Sequence, residues 1–305
     1  MPCVVREISP GGRKCNHAAV TGEVKLCVGQ AGKEGMTSED GMPKGPLIYR
    51  QTIWTRATHW VWAVCLFFLL LTGLQIFNAF PSLHIGQESG FDYDNAILSI
   101  GAVEEGGTLR GVTRLGAWEF DTTGVLGVSN GEARAFPAAV TIPSKTSLAT
   151  GRVIHFFFAW VLVGTLAVWL VAAALTGHLR QLVPSWGDLR ALPRDVADHA
   201  RLRFHHGPGY NVLQKLAYAG VLFIALPVMI LTGLAMSPGM NAAWPWLPDL
   251  FGGRQTARTV HFGVMVALVG FFAVHMAMIL LAGPLNELRS IVTGWYRIDA
   301  EKHHD

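Results

Sequence analysis

The chain has 305 residues, 51% of them hydrophobic and only 15% charged, with 24 basic side chains against 21 acidic ones and a formal net charge of +3. Its mean hydropathy is positive, at +0.35, which excludes an ordinary soluble globular domain and points to an integral membrane protein. So small a net charge gives no basis for a nucleic-acid partner.

Residues 1–46 are rich in glycine and polar side chains and lack the apolar core of a signal peptide, so they read as a disordered N-terminal leader. Met36 opens a more ordinary N-terminus, after which the first apolar stretch would serve as an uncleaved signal anchor. Cys3, Cys15 and Cys27 fall in this leader and Cys65 beyond it; they form no CxxC pair, and intervals of twelve residues fit no compact metal-ligand loop.

Four stretches are long enough to cross about 30 Å of hydrocarbon at about 1.5 Å per residue. They are Ala57–Ala79, Val153–Thr176, Val212–Met236 and Thr259–Ala282, within a transmembrane domain expected over 47–297, followed by a tail at 298–305. None contains Asp or Glu, which argues against a carboxylate proton relay. Basic residues set the orientation. Arg180, Arg190, Arg194, Arg201 and Arg203 fill the loop between the second and third spans, Lys44, Arg50 and Arg56 precede the first, and Arg289, Arg297 and Lys302 follow the fourth. The segment 81–151 carries eight acidic residues against four basic ones. Both termini and the Arg180–Arg203 loop are therefore expected in the cytoplasm, and the acidic segment outside.

The second and fourth spans repeat one another at an offset of 106 residues: Arg152-Val-Ile-His155 matches Arg258-Thr-Val-His261, and Gly164 matches Gly270. Where the fourth span has Ala-Val-His275, the second has Ala-Val-Trp169. The first and third spans echo each other through Leu71-Thr72-Gly73-Leu74 and Leu231-Thr232-Gly233-Leu234, with His59 falling opposite Ala219. Duplication with histidines kept at selected places is what a four-helix bundle around cofactors would show.

His261 and His275 are fourteen residues apart, close to four helical turns, so both imidazoles leave one helix face about 21 Å apart along the axis. With the N-terminus inside, His59 lies near the cytoplasmic side, His155 and His261 near the outer side, and His275 deeper. Depth thus pairs His155 with His261 and His59 with His275, as axial ligands of two stacked b hemes. Two histidines per iron leave no open position, which suits electron transfer rather than oxygen chemistry. Arg152 and Arg258 outside, and Arg56 and His178 inside, stand where they could pair with heme propionates or serve as interfacial anchors. Gly73, Gly164, Gly233 and Gly270 permit close helix packing or make room for porphyrin planes.

Over about Tyr49 to Arg297 the chain resembles the prokaryotic diheme cytochrome b subunits, cytochrome b561-like, of hydrogenases, formate dehydrogenases and thiosulfate reductases. The resemblance is carried by His59, His155 and the pair His261 and His275. It implies an all-α membrane protein of the bacterial inner membrane, with four transmembrane helices around two bis-histidine b hemes and a long periplasmic loop between the first two. It also implies a menaquinone or ubiquinone site beside the inner heme. The stretch Asn211-Val-Leu-Gln214-Lys215 is similar to the family's Asn-x-x-Gln-Lys, making Asn211 the quinone hydrogen-bonding candidate or, alternatively, a helix N-cap. Formate dehydrogenase subunits place glycine two residues after this asparagine, where Leu213 stands here.

The loop 81–151 is long for that family and reads as turns with short strands, at Ala96–Ile100 and Val125–Val128, folded as a cap over the outer heme that docks a partner. The leading expectation is an electron-transfer subunit between a periplasmic catalytic subunit and the quinone pool. A molybdopterin oxidoreductase of the thiosulfate-reductase type is the favoured partner and a hydrogenase the other. Substrate conversion falls to that partner. The rivals are a free-standing superoxide:quinone oxidoreductase, which a negative outer face disfavours by repelling its anionic substrate, and a structural anchor that binds heme without turnover.

Overall fold

A computed structural model describes residues 45–90, 93–177, 179–201 and 212–298. The leader through residue 44, with Cys3, Cys15 and Cys27, and the last seven residues of the tail lie outside the described residues, as do His178 and Asn211.

A short strand, β1 (Leu47–Tyr49), leads into α1 (Ile53–Phe77), whose first turn is capped by Thr52 Oγ1 accepting the Thr55 N–H at 3.3 Å. Between α1 and the second long helix the chain forms β2 (Ser82–His84), β3 (Ala96–Glu105), β4 (Thr108–Leu115), β5 (Trp118–Asp121), β6 (Val128–Ser129) and β7 (Glu132–Ala133). The first four make an antiparallel sheet in chain order, and β6 pairs with β7. The tight hairpins use residues that tolerate positive φ: Gly106-Gly107 between β3 and β4, Gly116 between β4 and β5, and Asn130-Gly131 between β6 and β7. Ala96–Ile100 is the start of a longer strand than expected. The Val125–Val128 stretch is largely a turn, because Gly124 and Gly127 adopt φ of +88° and +78° and cannot continue a ladder.

Ser147 caps α2 (Leu148–Leu175). The segment expected as a cytoplasmic loop is partly helical, with α3 (Leu179–Leu182) and α4 (Trp186–Ala200). A capping box starts α4: the Ser185 N–H donates to Asp188 Oδ2 at 2.7 Å and the Asp188 N–H returns to Ser185 Oγ at 3.2 Å. The third span runs through α5 (Val212–Gly220), a π-helical turn (Val221–Ala225) and α6 (Leu226–Met236). Pro227 lacks an N–H and crowds the preceding turn, and the widened turn absorbs it without breaking the span. After α7 (Pro238–Ala243) come α8 (Arg254–Ala282), α9 (Pro284–Thr293) and β8 (Trp295–Arg297).

The helices α1, α2 and α8 and the unit from α5 through α6 are long and apolar enough to cross a membrane. α1 packs along α2, and α6 along α8. Cys65, Leu162, Leu166, Leu222 and Leu226 form the buried contact between the two pairs, while Val153, Val168, Leu175 and Leu280 are largely exposed, as the lipid face of a bundle requires. Trp169, the repeat counterpart of His275, sits against this core edge-to-face with Trp62, whose Nε1–H donates to Thr165 Oγ1 at 3.0 Å.

The β-sheet unit is seated on one end of the bundle. Leu83 and Ile100 share a cluster with Phe77 of α1 and Phe262 of α8. Asn78 grips the Phe136 backbone, donating to its carbonyl at 3.1 Å and accepting its N–H at 2.7 Å. Gly253 is a required glycine: its φ is +122°, and a Cβ there would lie 2.4 Å from the Gly86 carbonyl oxygen. At the opposite end β1 pairs antiparallel with β8, Leu47 opposite Arg297, and the Arg50 N–H donates to the Gly294 carbonyl at 2.8 Å.

Candidate functional site

His155 lies on the second turn of α2 and His261 on the second turn of α8, both at the end covered by the sheet. Each ring is held from the neighbouring helix of its own pair. His155 Nδ1 is 3.0 Å from Thr72 Oγ1, and His261 Nδ1 is 2.9 Å from Thr232 Oγ1. The proton of each threonine hydroxyl is already committed one turn back, to the Phe68 carbonyl at 2.6 Å and the Val228 carbonyl at 2.7 Å. A hydroxyl that donates to the carbonyl accepts from the ring, and this arrangement carries the ring proton on Nδ1 and frees the Nε2 lone pair for a metal. Sequence reading found the Thr-Gly repeat but assigned a role only to its glycines; the exposed signal was a hydroxyl at the same place in both copies.

His59 lies on the second turn of α1 and His275 two turns from the end of α8, toward the other end of the bundle. The structure brings His59 within electrostatic range of His275, and His155 within range of His261. His59 Nδ1 is buried without a hydrogen-bond partner, and the His275 ring stacks on Phe271 at 5.8 Å. Among the described residues, no three His, Cys, Asp or Glu side chains gather as a metal cage would need. The histidines come in twos, as axial ligation of a porphyrin iron asks.

Space fits the same group. A Cβ on Gly73 or Gly233 would make ordinary contact with the Cε1 of the adjacent histidine, at 3.5 Å in both cases. On Gly164 of α2 and Gly270 of α8 a Cβ would meet nothing within 4 Å, although both lie mid-helix in a bundle. Nε2 atoms freed by a fixed tautomer and open ground beside matched glycines fit a bis-histidine porphyrin.

The arginines stand at the expected ends, each with protein partners of its own. Arg56 Nη1 donates to the Val292 carbonyl at 2.5 Å, while its Nε is buried and unpartnered. Arg258 donates to the Phe80 carbonyl and lies over the Phe80 and Phe77 rings at 4.9 and 5.6 Å. Arg152 is exposed, 5.7 Å from the Phe156 ring. Near the start of the third span Lys215 pairs with Asp188 of α4 at 2.9 Å, and the Leu213 N–H donates to Asp195 Oδ2 at 3.2 Å. Lys215, with the Ser185 N–H and hydroxyl, holds the Asp188 carboxyl down at about 2. At the sheet-covered end His84 is buried with Nδ1 unpartnered; burial, then the Arg258 charge, lower its pKa below 6.5, with Asp94 opposing.

The profile of a family described as prokaryotic cytochrome b561 matches residues 50–294. The chain belongs to that family. It is a cytochrome b561-family membrane protein of electron transfer, and membership implies b-type heme. The chain is also 28% identical over 232 residues to a protein of Azospira oryzae named "Putative protein-methionine-sulfoxide reductase subunit YedZ1", a match covering 75% of this chain and 88% of that relative.

Proposed function

We propose that this cytochrome b561-family chain is a diheme subunit that carries electrons between a periplasmic oxidoreductase and the membrane quinone pool. The observation that carries the reading is the pairing of histidines at two depths, His155 with His261 and His59 with His275, each pair within electrostatic range. His155 and His261 hold the outer b heme through Nε2, and His59 and His275 hold the inner one. Bound there, a b heme supplies a one-electron iron couple. The chain's own part is to fix the rings, to keep water from the irons with the apolar core, and to seat a partner on the sheet unit. Arg152, Arg258 and Arg56 remain the candidates for the propionates, and Asn211 for the quinone.

The topology follows from charge: the termini and the α3–α4 segment are cytoplasmic, and the acidic sheet unit faces the periplasm. Electron transfer to a soluble enzyme needs a docking surface, and the sheet unit supplies one beside the outer histidine pair. A molybdenum-dependent oxidoreductase is the proposed partner. The name of the Azospira oryzae relative favours a protein-methionine-sulfoxide reductase over the thiosulfate-reductase type expected from sequence.

The test is heme content by pyridine hemochrome together with reduced-minus-oxidised spectra on the purified chain and on His155→Ala and His275→Ala. Two b hemes per chain, with each variant losing a different one, are expected. One heme or none in the parent chain would overturn the diheme assignment. Reduction of the bound hemes by quinol in proteoliposomes tests the quinone link.

A further inference from the structure

We propose that Thr72 and Thr232 are positioning residues for the outer heme, their hydroxyl oxygens orienting His155 and His261 and lowering that heme's reduction potential relative to a site without them. The inference rests on the bis-histidine reading above.

A threonine that hydrogen-bonds to the carbonyl one turn back is common in apolar helices and has no ligand meaning by itself. Here the same hydroxyl does a second thing in both halves of the duplicated chain: its remaining lone pair faces the Nδ1 of a histidine on the adjacent helix, at 3.0 Å from Thr72 and 2.9 Å from Thr232. With the hydroxyl proton directed at the Phe68 or Val228 carbonyl, the oxygen is left as the acceptor for an Nδ1–H. It accepts, and the Nδ1–H bond is polarised toward it. A histidine that donates its outer N–H is a more basic ligand through the other nitrogen, which favours the oxidised, more positive iron. The glycine after each threonine lies beside the Cε1 edge of the same ring, where a Cβ would stand 3.5 Å from it.

The inner pair lacks this device. His59 Nδ1 is buried without a partner, and His275 has a stacked phenylalanine and no protein hydrogen bond among the described residues. One cytochrome thus carries two pairs of chemically identical ligands with different support. Removing the support should move one heme and leave the other.

The experiment is a potentiometric titration with optical and EPR detection on the full chain, comparing Thr72→Val and Thr232→Val, singly and together, with Thr72→Ser and Thr232→Ser. Valine keeps the shape and removes the acceptor; serine keeps the acceptor. An upward shift of one midpoint potential in the valine variants, with its low-spin EPR signal displaced, the second heme unmoved and serine restoring both, is the expected result. Loss of one heme in the valine variants but not in the serine ones would support the same role, at about 10- to 100-fold weaker retention. Unmoved potentials in every variant, equal shifts of both hemes, or serine behaving as valine would overturn it. The parent chain is the separate control: if it lacks two bis-histidine hemes, the diheme reading fails first.

Discussion

Lys215 and Asp188 form an ion pair at 2.9 Å in which both side chains are only about one-fifth exposed, 22% and 21%, and through it the amphipathic α4 is tied to the first turn of the third span. Lys215 stands four residues after Asn211, the proposed quinone candidate, so the ion pair can be tested against quinol binding.

The Asp188 carboxyl is held at about 2, below its ordinary 3.8, chiefly by Lys215. A depressed carboxylate stabilises the fold above its unfolded value and loses that contribution as pH falls through the folded one. Wild type and Asp188→Asn should therefore differ in melting temperature at pH 7 and converge as pH drops from 3.8 toward about 2. Above pH 5 the difference should be flat. With heme content unchanged, Asp188→Asn should also raise the quinol KM several-fold, and an unchanged KM would separate this pair from the quinone.

His84 follows the opposite arithmetic, because burial lowers the pKa of a base. Below 6.5 the unfolded chain takes up a proton that the folded chain resists, so stability declines as pH falls from 6.5 toward the lowered folded value. Thermal melts of the parent chain and His84→Phe should run parallel above pH 7 and diverge as pH falls below 6.5, the parent falling faster. Parallel curves throughout would mean that Asp94 offsets Arg258 and the burial.

Arg134 has a side chain only 6% exposed and donates to the Ser144 carbonyl at 2.7 Å and to Gln75 Oε1 and Thr141 Oγ1 at 2.9 Å each. Gln75 is itself buried near the end of α1, so Arg134 links the sheet unit to the bundle. Arg134→Met should cost roughly 2–4 kcal/mol, since it leaves buried acceptors unpaired. Limited proteolysis should then cut the region 81–147 faster, while the spectrum of the inner heme stays as it was.

Gly270 offers a direct probe of space. A Cβ there meets nothing within 4 Å, so Gly270→Leu should be accommodated by the protein and expel a porphyrin that occupies the same ground. Normal yield and melting of the heme-free fraction with at least a two-fold fall in heme content is the expected pattern. Full heme content would place the porphyrins elsewhere in the bundle.

Much of the architecture was legible before any coordinates. Four apolar stretches free of carboxylates appear as four long helices, because lipid forces backbone groups to pair within each segment. What escaped reading was local and cooperative. The helix α4 was hidden by Pro193 and by dense charge, although Ser185 and Asp188 stood at capping-box spacing. Val125–Val128 looked like a strand by its valines, yet two glycines at positive φ bend it. The hydroxyls of Thr72 and Thr232 were visible as a repeat, but their role depends on where one proton goes, and that is decided by helix geometry. Asn211 lies outside the described residues, so its placement beside a quinone rests on the resemblance alone.

The pairing of β1 with β8 has a consequence for biosynthesis. Leu47–Tyr49 emerges from the ribosome some 250 residues before its partner Trp295–Arg297, so the clasp between the two ends is the last ladder that can form. Before that the halves already meet through Cys65, Leu162, Leu222 and Leu226 and through the sheet unit on α8, so the clasp is added to a bundle whose core is in place. The order of synthesis thus leaves the bundle a late closing step, with residues 295–297 as the latch.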